Sequence, residues 1–226
     1  MFQPELILKS TPPRLSRGAL ERTRFTQLWQ QVRERTATAV IASAGFGKTT
    51  LMLQWRRLWL ERGAFVAWLT VDAQDEPARF ALALLHSLRV ATGRAAFEPL
   101  AMLCATQPDR EIEAMTALLA EIASLGIETV VMLDDAERLP DASARNLLAY
   151  LLHNAPANLH VLLGSRATLA VPTAELSAKG NLALLQAADL RLLQEESVEI
   201  LSRRFGARIG IDQCVRLHEV TEGWPI

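Results

Sequence analysis

Eight residues, Ala42-Ser43-Ala44-Gly45-Phe46-Gly47-Lys48-Thr49, constrain this chain more than any other stretch. They follow a β-rich run from Thr38 and lead into a segment, Lys48 through Leu60, whose pattern predicts a helix. Strand, glycine loop and helix in that order aim successive main-chain N–H groups, and the positive helix end, at one point, which suits a phosphate. The loop matches G-x-x-x-x-G-K-[ST] at every fixed position but the first, where Ala42 stands for glycine. Gly45 and Gly47 can take backbone angles that a Cβ forbids, so the main chain from Ala44 through Phe46 to Gly47 can bend around a β-phosphate. Lys48 offers a mobile charge to the β- and γ-phosphates, the Thr49 hydroxyl can ligate Mg²⁺, and Thr50 can reach the α-phosphate. A glycine-rich turn with an incidental Gly-Lys-Thr is the competing reading. The flanking strand and helix argue against it.

The rest of the chain alternates. The run Phe65 to Val71 predicts a buried strand, and Pro77 opens a helix in which Phe80, Leu84 and Leu88 fall at i, i+4 and i+8. A less regular stretch, Thr92 to Pro108, precedes a helix carrying Ile112, Met115, Leu119, Ile122 and Leu125 and ended by Gly126. A strand at Thr129 to Leu133, a helix with Leu147, Leu148, Leu151 and Leu152, and a strand at Leu159 to Gly164 follow, with a last strand near Leu182 to Leu185. Such alternation means an α/β fold on a mainly parallel sheet. Upstream, Thr11-Pro12-Pro13 is rigid and extended, and leads into a helix with Leu20, Phe25, Leu28, Trp29 and Val32 on one side. Beyond Glu195 only helical periodicity remains. The chain therefore divides into a lead-in segment, 1–35, a core, 36–190, and the start of a helical domain, 191–226.

Two further strand ends carry chemistry. Thr129 to Leu133 delivers Asp134 and Asp135 at its carboxyl end, where open α/β sheets bind ligands. In this Walker B pattern Asp134 holds Mg²⁺ through water, and Asp135 orients or deprotonates the attacking water. An Asp-rich turn capping the next helix is the structural alternative. The following strand ends in Ser165-Arg166, where the Arg166 fork of donors suits a γ-phosphate and a solvated loop arginine is the competing reading. No Asn-Lys-x-Asp run for guanine occurs, so adenine is expected. His86, His153, His160 and His218 show no metal spacing.

Charge and composition narrow the function classes. With 24 Lys+Arg against 25 Asp+Glu the net charge is −1, too near neutrality to attract nucleic acid globally, and no local basic patch is evident. A 226-residue chain with 50% hydrophobic residues can bury roughly 70% of its unfolded surface without disulfide or metal support. Cys104 and Cys214 fit no C-x-x-C spacing and point to a reducing compartment. The N-terminus lacks a signal-peptide pattern, and no apolar stretch approaches the ~18 residues that span a bilayer, so a cytoplasmic location with no membrane contact is expected.

Taken together, the loop Ala42 to Thr49 with Thr50-Leu51, then Gln54-Trp55, Ala67-Trp68-Leu69-Thr70-Val71-Asp72, Asp75, Arg79-Phe80, Val131 to Asp135, Ser165-Arg166, Ala188 to Arg191 and Glu222-Gly223-Trp224-Pro225 resemble, in the same order, one known domain. It is the nucleotide-binding domain, NB-ARC or AAA-like, of the MalT-like large LuxR-type transcriptional regulators, which are signal-transduction ATPases with numerous domains (STAND). The resemblance covers nearly the whole chain. It implies a P-loop NTPase three-layer sandwich with a five-stranded sheet of the additional-strand class, the Arg166 strand lying between the P-loop and Walker B strands, followed by a small helical domain. It also implies a nucleotide switch, closed with ADP and opened by inducer and ATP toward self-association and DNA binding through a C-terminal helix-turn-helix. By the same resemblance the Arg14 to Leu20 segment, Arg17 above all, lines the adenine pocket, and Pro225 touches adenine. Family members continue well past the Gly-Trp-Pro turn, so a fragment is implied, with the DNA-binding part absent from this chain.

The leading expectation is an ATP/ADP-binding switch with slow Mg²⁺-dependent hydrolysis. Two other classes compete. A P-loop kinase for a small acceptor would favour an arginine-rich lid, but Ala170 to Gly180 offers only Lys179. A nucleotide-independent scaffold would dock partners on the helices after Glu195.

Overall fold

A computed structural model describes residues 4–107, 109–169, 171 and 173–225. Met1 to Gln3, Pro108, Ala170 and Ile226, used in reading the sequence, lie outside them. A short helix α1 (Pro4–Lys9) and a second, α2 (Thr23–Val32), precede strand β1 (Ala37–Ile41), helix α3 (Lys48–Glu61), β2 (Phe65–Thr70) and α4 (Pro77–Thr92). Then come α5 (Phe97–Thr106), α6 (Glu111–Leu125), β3 (Thr129–Asp134), a 3-10 turn (Ala136–Arg138), a π-helical turn (Ser143–Leu148) running into α7 (Ala149–His153), and β4 (Leu159–Ser165), with a second 3-10 turn later at Gly206–Arg208. The chain closes with α8 (Thr173–Ala178), β5 (Leu182–Gln186), α9 (Ala187–Leu190), α10 (Gln194–Phe205) and α11 (Ile211–Thr221).

The five strands run parallel in the order β2-β3-β4-β1-β5. The strand bearing Arg166 therefore lies between the loop strand β1 and the acidic strand β3, as the additional-strand class requires. Parallel strands covered on both faces must be apolar on both. In β3, Val131 and Leu133 enter a core shared with α4, α5 and α6, while Val130 and Met132 enter the opposite core with α2 and α3. The period of two sends alternate residues to opposite layers and produces the helix–sheet–helix sandwich. Register then levels the strand ends: Ile41 lies beside Ser165, and Thr70 beside Asp134. The candidate groups thus reach one edge without long loops.

Several details differ from the expected pattern. The lead-in helix begins at Thr23, so Leu20 is buried from an irregular segment rather than from a helix face. The stretch after Thr92 contains α5, whose Phe97, Ala101 and Cys104 face the core at helical spacing; Pro99 in its first turn, where no N–H partner is needed, obscures the pattern. In α6 it is Leu118, not Ile112, that completes the buried face, and Ile112 is largely exposed. Burial pushes the Cys104 thiol up to about 11, consistent with an inert packing residue. No helix among the described residues is long and apolar enough to cross a membrane.

Helix α1 is pinned by charge. Lys9 is buried and bonds Asp75 Oδ2 at 2.5 Å and Asp72 Oδ2 at 3.0 Å, and Asp75 has no exposed surface. The Asp75 carboxylate also accepts the Asp72 N–H, and its carbonyl accepts the Ser143 hydroxyl. Removing one partner of a buried pair strands the other charge. Lys9→Met should cost about 3 kcal/mol in urea unfolding; a loss below about 1 kcal/mol would show that Arg79, 3.7 Å from Asp75, suffices.

Candidate functional site

The loop between β1 and α3 is built on two left-handed glycines, Gly45 at φ 82° and Gly47 at φ 77°. A side chain at either would be strained. A Cβ on Gly45 would sit 2.9 Å from the Trp224 indole nitrogen, and one on Gly47 would sit 3.2 Å from an Arg22 guanidinium nitrogen. Gly47 also caps α3 without any side-chain bond, leaving the first N–H groups of that helix to an external acceptor. Lys48, the first helical residue, folds back so that Nζ donates to the carbonyls of Ala42 at 2.7 Å and Ser43 at 3.0 Å. Burial lowers its pKa, and the Glu137 charge opposes that shift.

Behind the loop, Thr49 Oγ1 donates to Asp134, 3.0 Å from Oδ2 and 3.2 Å from Oδ1. Asp134 is buried, which raises its pKa, while the Thr49 bond draws it back down. A hydroxyl and a carboxylate in contact form a hard-oxygen pair that fits Mg²⁺. Gly164 on β4 makes room for this pair, because a Cβ there would lie 3.0 Å from Asp134 Oδ1 and 2.6 Å from Met52 Sδ. Asp135 takes a left-handed φ of 54° at the start of the 3-10 turn, and its side chain makes no capping bond there. Its Oδ1 lies 3.8 Å from Arg166 Nη2.

Lys48, Thr49, Asp135 and Arg166 face a cleft of about 790 Å³, whereas Asp134 is buried behind Thr49 and does not line it. Of the residues expected from the sequence, Ala44, Gly45, Gly47, Lys48, Thr49, Thr50, Asp135, Arg166 and Pro225 line it. Phe46 instead packs its ring on the core beside α3. Arg17 is exposed and does not line the cleft, whereas its neighbours Ser16, Gly18, Ala19 and Leu20 do. Helical-segment residues Arg203 and Arg204 join it from α10, and Arg22 from the lead-in segment. With Lys48 and Arg166 they bring five cations from four separate stretches, a concentration that no local charge run reveals. Arg22 is the clearest residue missed by sequence reasoning: buried, with its Nη1 on the Leu190 carbonyl at 2.6 Å. A cavity of similar size, about 820 Å³, is bordered by Glu76, Glu111, Tyr150 and His153 and has Arg145 as its one arginine among the described residues.

The helical segment closes over the loop. Trp224 Nε1 donates to the Ala44 carbonyl at 3.3 Å, and Leu192 N–H donates to Gly223 O at 2.7 Å. Arg24 braces the approach by bonding the Asp189 carbonyl at 2.6 Å and the Glu196 carboxylate at 3.1 Å.

A parallel sheet, a left-handed glycine loop at a helix N-terminus and a hydroxyl–carboxylate pair beside it define a P-loop nucleotide-binding domain. The family model described as an AAA domain matches residues 31–167, and the chain belongs to that family. Among curated proteins it is 30% identical over 214 residues to the serine/threonine-protein kinase PknK of Mycobacterium tuberculosis, covering 94% of this chain and 19% of that protein. It is 28% identical over 218 residues to the HTH-type transcriptional regulator MalT of Vibrio parahaemolyticus, covering 96% of this chain and 24% of that one. The chain thus spans about a fifth to a quarter of the length of these relatives. Among solved structures, the Walker-type ATPase of Pyrococcus abyssi superposes with a TM-score of 0.55 at 16% identity, over 94% of this chain and 67% of that one. Cdc6p of Pyrobaculum aerophilum gives 0.50 at 13%, over 100% and 60%. These likenesses establish the fold.

The residues present fit a nucleoside polyphosphate with Mg²⁺. Loop N–H groups and Lys48 would hold the phosphates, and Thr49 and Asp134 the ion, which when bound neutralises developing phosphate charge. The raised pKa of Asp134 has a consequence for stability. Its folded state binds the proton more tightly than the unfolded chain does, so its charge costs stability at neutral pH; the cost vanishes below its ordinary value of 3.8. Asp134→Asn should therefore raise the melting temperature of the nucleotide-free chain at pH 7, less so as pH falls, and abolish any Mg²⁺ enhancement of nucleotide binding. A lower melting temperature at pH 7 would contradict this placement.

Proposed function

We propose that the chain is an ATP/ADP-binding switch module with slow Mg²⁺-dependent ATP hydrolysis, from a MalT-type regulator. The observation that carries it is the Thr49–Asp134 contact beside the left-handed glycine loop, with Arg166 one strand away. In this reading residues 36–190 form the ATPase core and 191–226 the start of a helical domain. The lead-in segment, 1–35, contributes Ser16, Gly18, Ala19, Leu20 and Arg22 to the nucleotide cleft. Asp135 activates water, Arg166 senses the γ-phosphate, and Pro225 meets the base. Relatives named for different outputs, a protein kinase and a transcriptional regulator, match this chain along nearly its whole length. A shared switch accounts for that better than either output. Self-association and DNA binding would be activities of the whole regulator.

Equilibrium binding of labelled ATP, ADP and GTP tests the base. Adenine nucleotides should bind more tightly, and GTP binding as well or better refutes the assignment. Lys48→Ala removes the charge that Ala42 and Ser43 now hold in place. Nucleotide affinity should fall by about a hundredfold with the melting transition retained; unchanged affinity would defeat the phosphate-loop role.

A further inference from the structure

The turn after β3 continues past Asp134 and Asp135 to a third carboxylate, Glu137, to which the reading above gives no task. Glu137 is largely buried, at 17% exposure, with Oε1 3.2 Å from Arg166 Nε. Its other oxygen, Oε2, accepts the Arg166 main-chain N–H at 3.0 Å. One carboxylate thus holds the backbone and the guanidinium of the same residue and fixes the direction in which Arg166 leaves β4. The remaining guanidinium donors are loosely engaged, since Asp135 stands 3.8 Å from Nη2, beyond hydrogen-bond distance. Among the charges acting on Lys48, Glu137 is the strongest attractive one, ahead of Asp134 and Asp135. The same acid therefore pulls on both cations that flank the cleft, as a terminal phosphate would.

We propose that Glu137 is a positioning residue that parks Arg166 until a γ-phosphate competes for it, so that the pair is closed with a nucleoside diphosphate and open with a triphosphate, at a cost to triphosphate affinity. The proposal rests on the nucleotide-switch reading. A phosphate offers the guanidinium fork two oxygens at once, whereas Glu137 engages only Nε. The main-chain bond to Glu137 need not break, so the end of β4 stays fixed while the side chain swings. A diphosphate lacks the competing oxygens and leaves the pair closed.

Glu137→Gln keeps an acceptor for the Arg166 N–H and removes the charge. The ratio of ATP to ADP affinity should rise about fivefold, the low end of coupling between sites, with little change in melting temperature. In an Arg166→Gln background the same substitution should leave the ratio unchanged. A constant ratio in a folded, ADP-binding Glu137→Gln chain overturns the proposal, as does a rise that persists without Arg166. Should the variant not fold, crystal structures of the unsubstituted chain decide: the Glu137–Arg166 pair should be closed with ADP and parted with a non-hydrolysable ATP analogue. A pair closed in both refutes the proposal alone. A chain that binds neither nucleotide refutes the switch reading and the proposal with it.

Discussion

The loop at Gly45 to Thr49 has to offer main chain, not side chains, to its ligand, and most of the surrounding architecture follows from that need. Left-handed φ at two glycines leaves no Cβ in the cradle, so the charges that balance a polyphosphate must arrive from elsewhere. Lys48 comes from the helix, Arg166 from β4, Arg22 from the lead-in segment, and Arg203 and Arg204 from α10. Only a sheet whose strand ends are level can bring these to one edge. The order β2-β3-β4-β1-β5, with Ile41 beside Ser165 and Thr70 beside Asp134, supplies that alignment.

Burial sets the electrostatics of this edge. Asp134 is held among apolar strands and beneath Gly164, an environment that resists its ionisation, and the Thr49 hydroxyl and the Asp135 main-chain N–H answer it directly. Lys48 is satisfied by two carbonyls of its own loop, so its ammonium is already in place, with those carbonyls standing in for phosphate oxygens. The site is thus organised by hydrogen bonds that a ligand would exchange rather than create.

The strands and the long helices were legible because their apolar period changes cleanly from two to 3.6, and Gly126 and Pro77 mark boundaries by conformation alone. The loop, Asp134, Asp135 and Arg166 were legible because each sits directly after a strand. Less visible was anything that depends on contacts across long stretches of chain. Arg22 reads as one arginine in a charged segment until its bond to Leu190 is seen. Gly164 reads as a gap in an apolar run, and Glu137 as a surface acid after a turn. The resemblance points to Arg17, yet the backbone turns its neighbours, not it, toward the cleft. The short helix α1 carries too few turns to show a period, and what secures it is the ion pair from Lys9 to Asp75.

Trp224 differs from the other four tryptophans of the chain: Trp29, Trp55, Trp59 and Trp68 are buried, while Trp224 is 45% exposed and rests on the phosphate loop. Its indole is therefore the one chromophore here placed at the boundary between water and the nucleotide cleft. Emission from it carries a readable signal of whether the helical segment is seated or lifted, so the molecule holds a native optical gauge of its own closure.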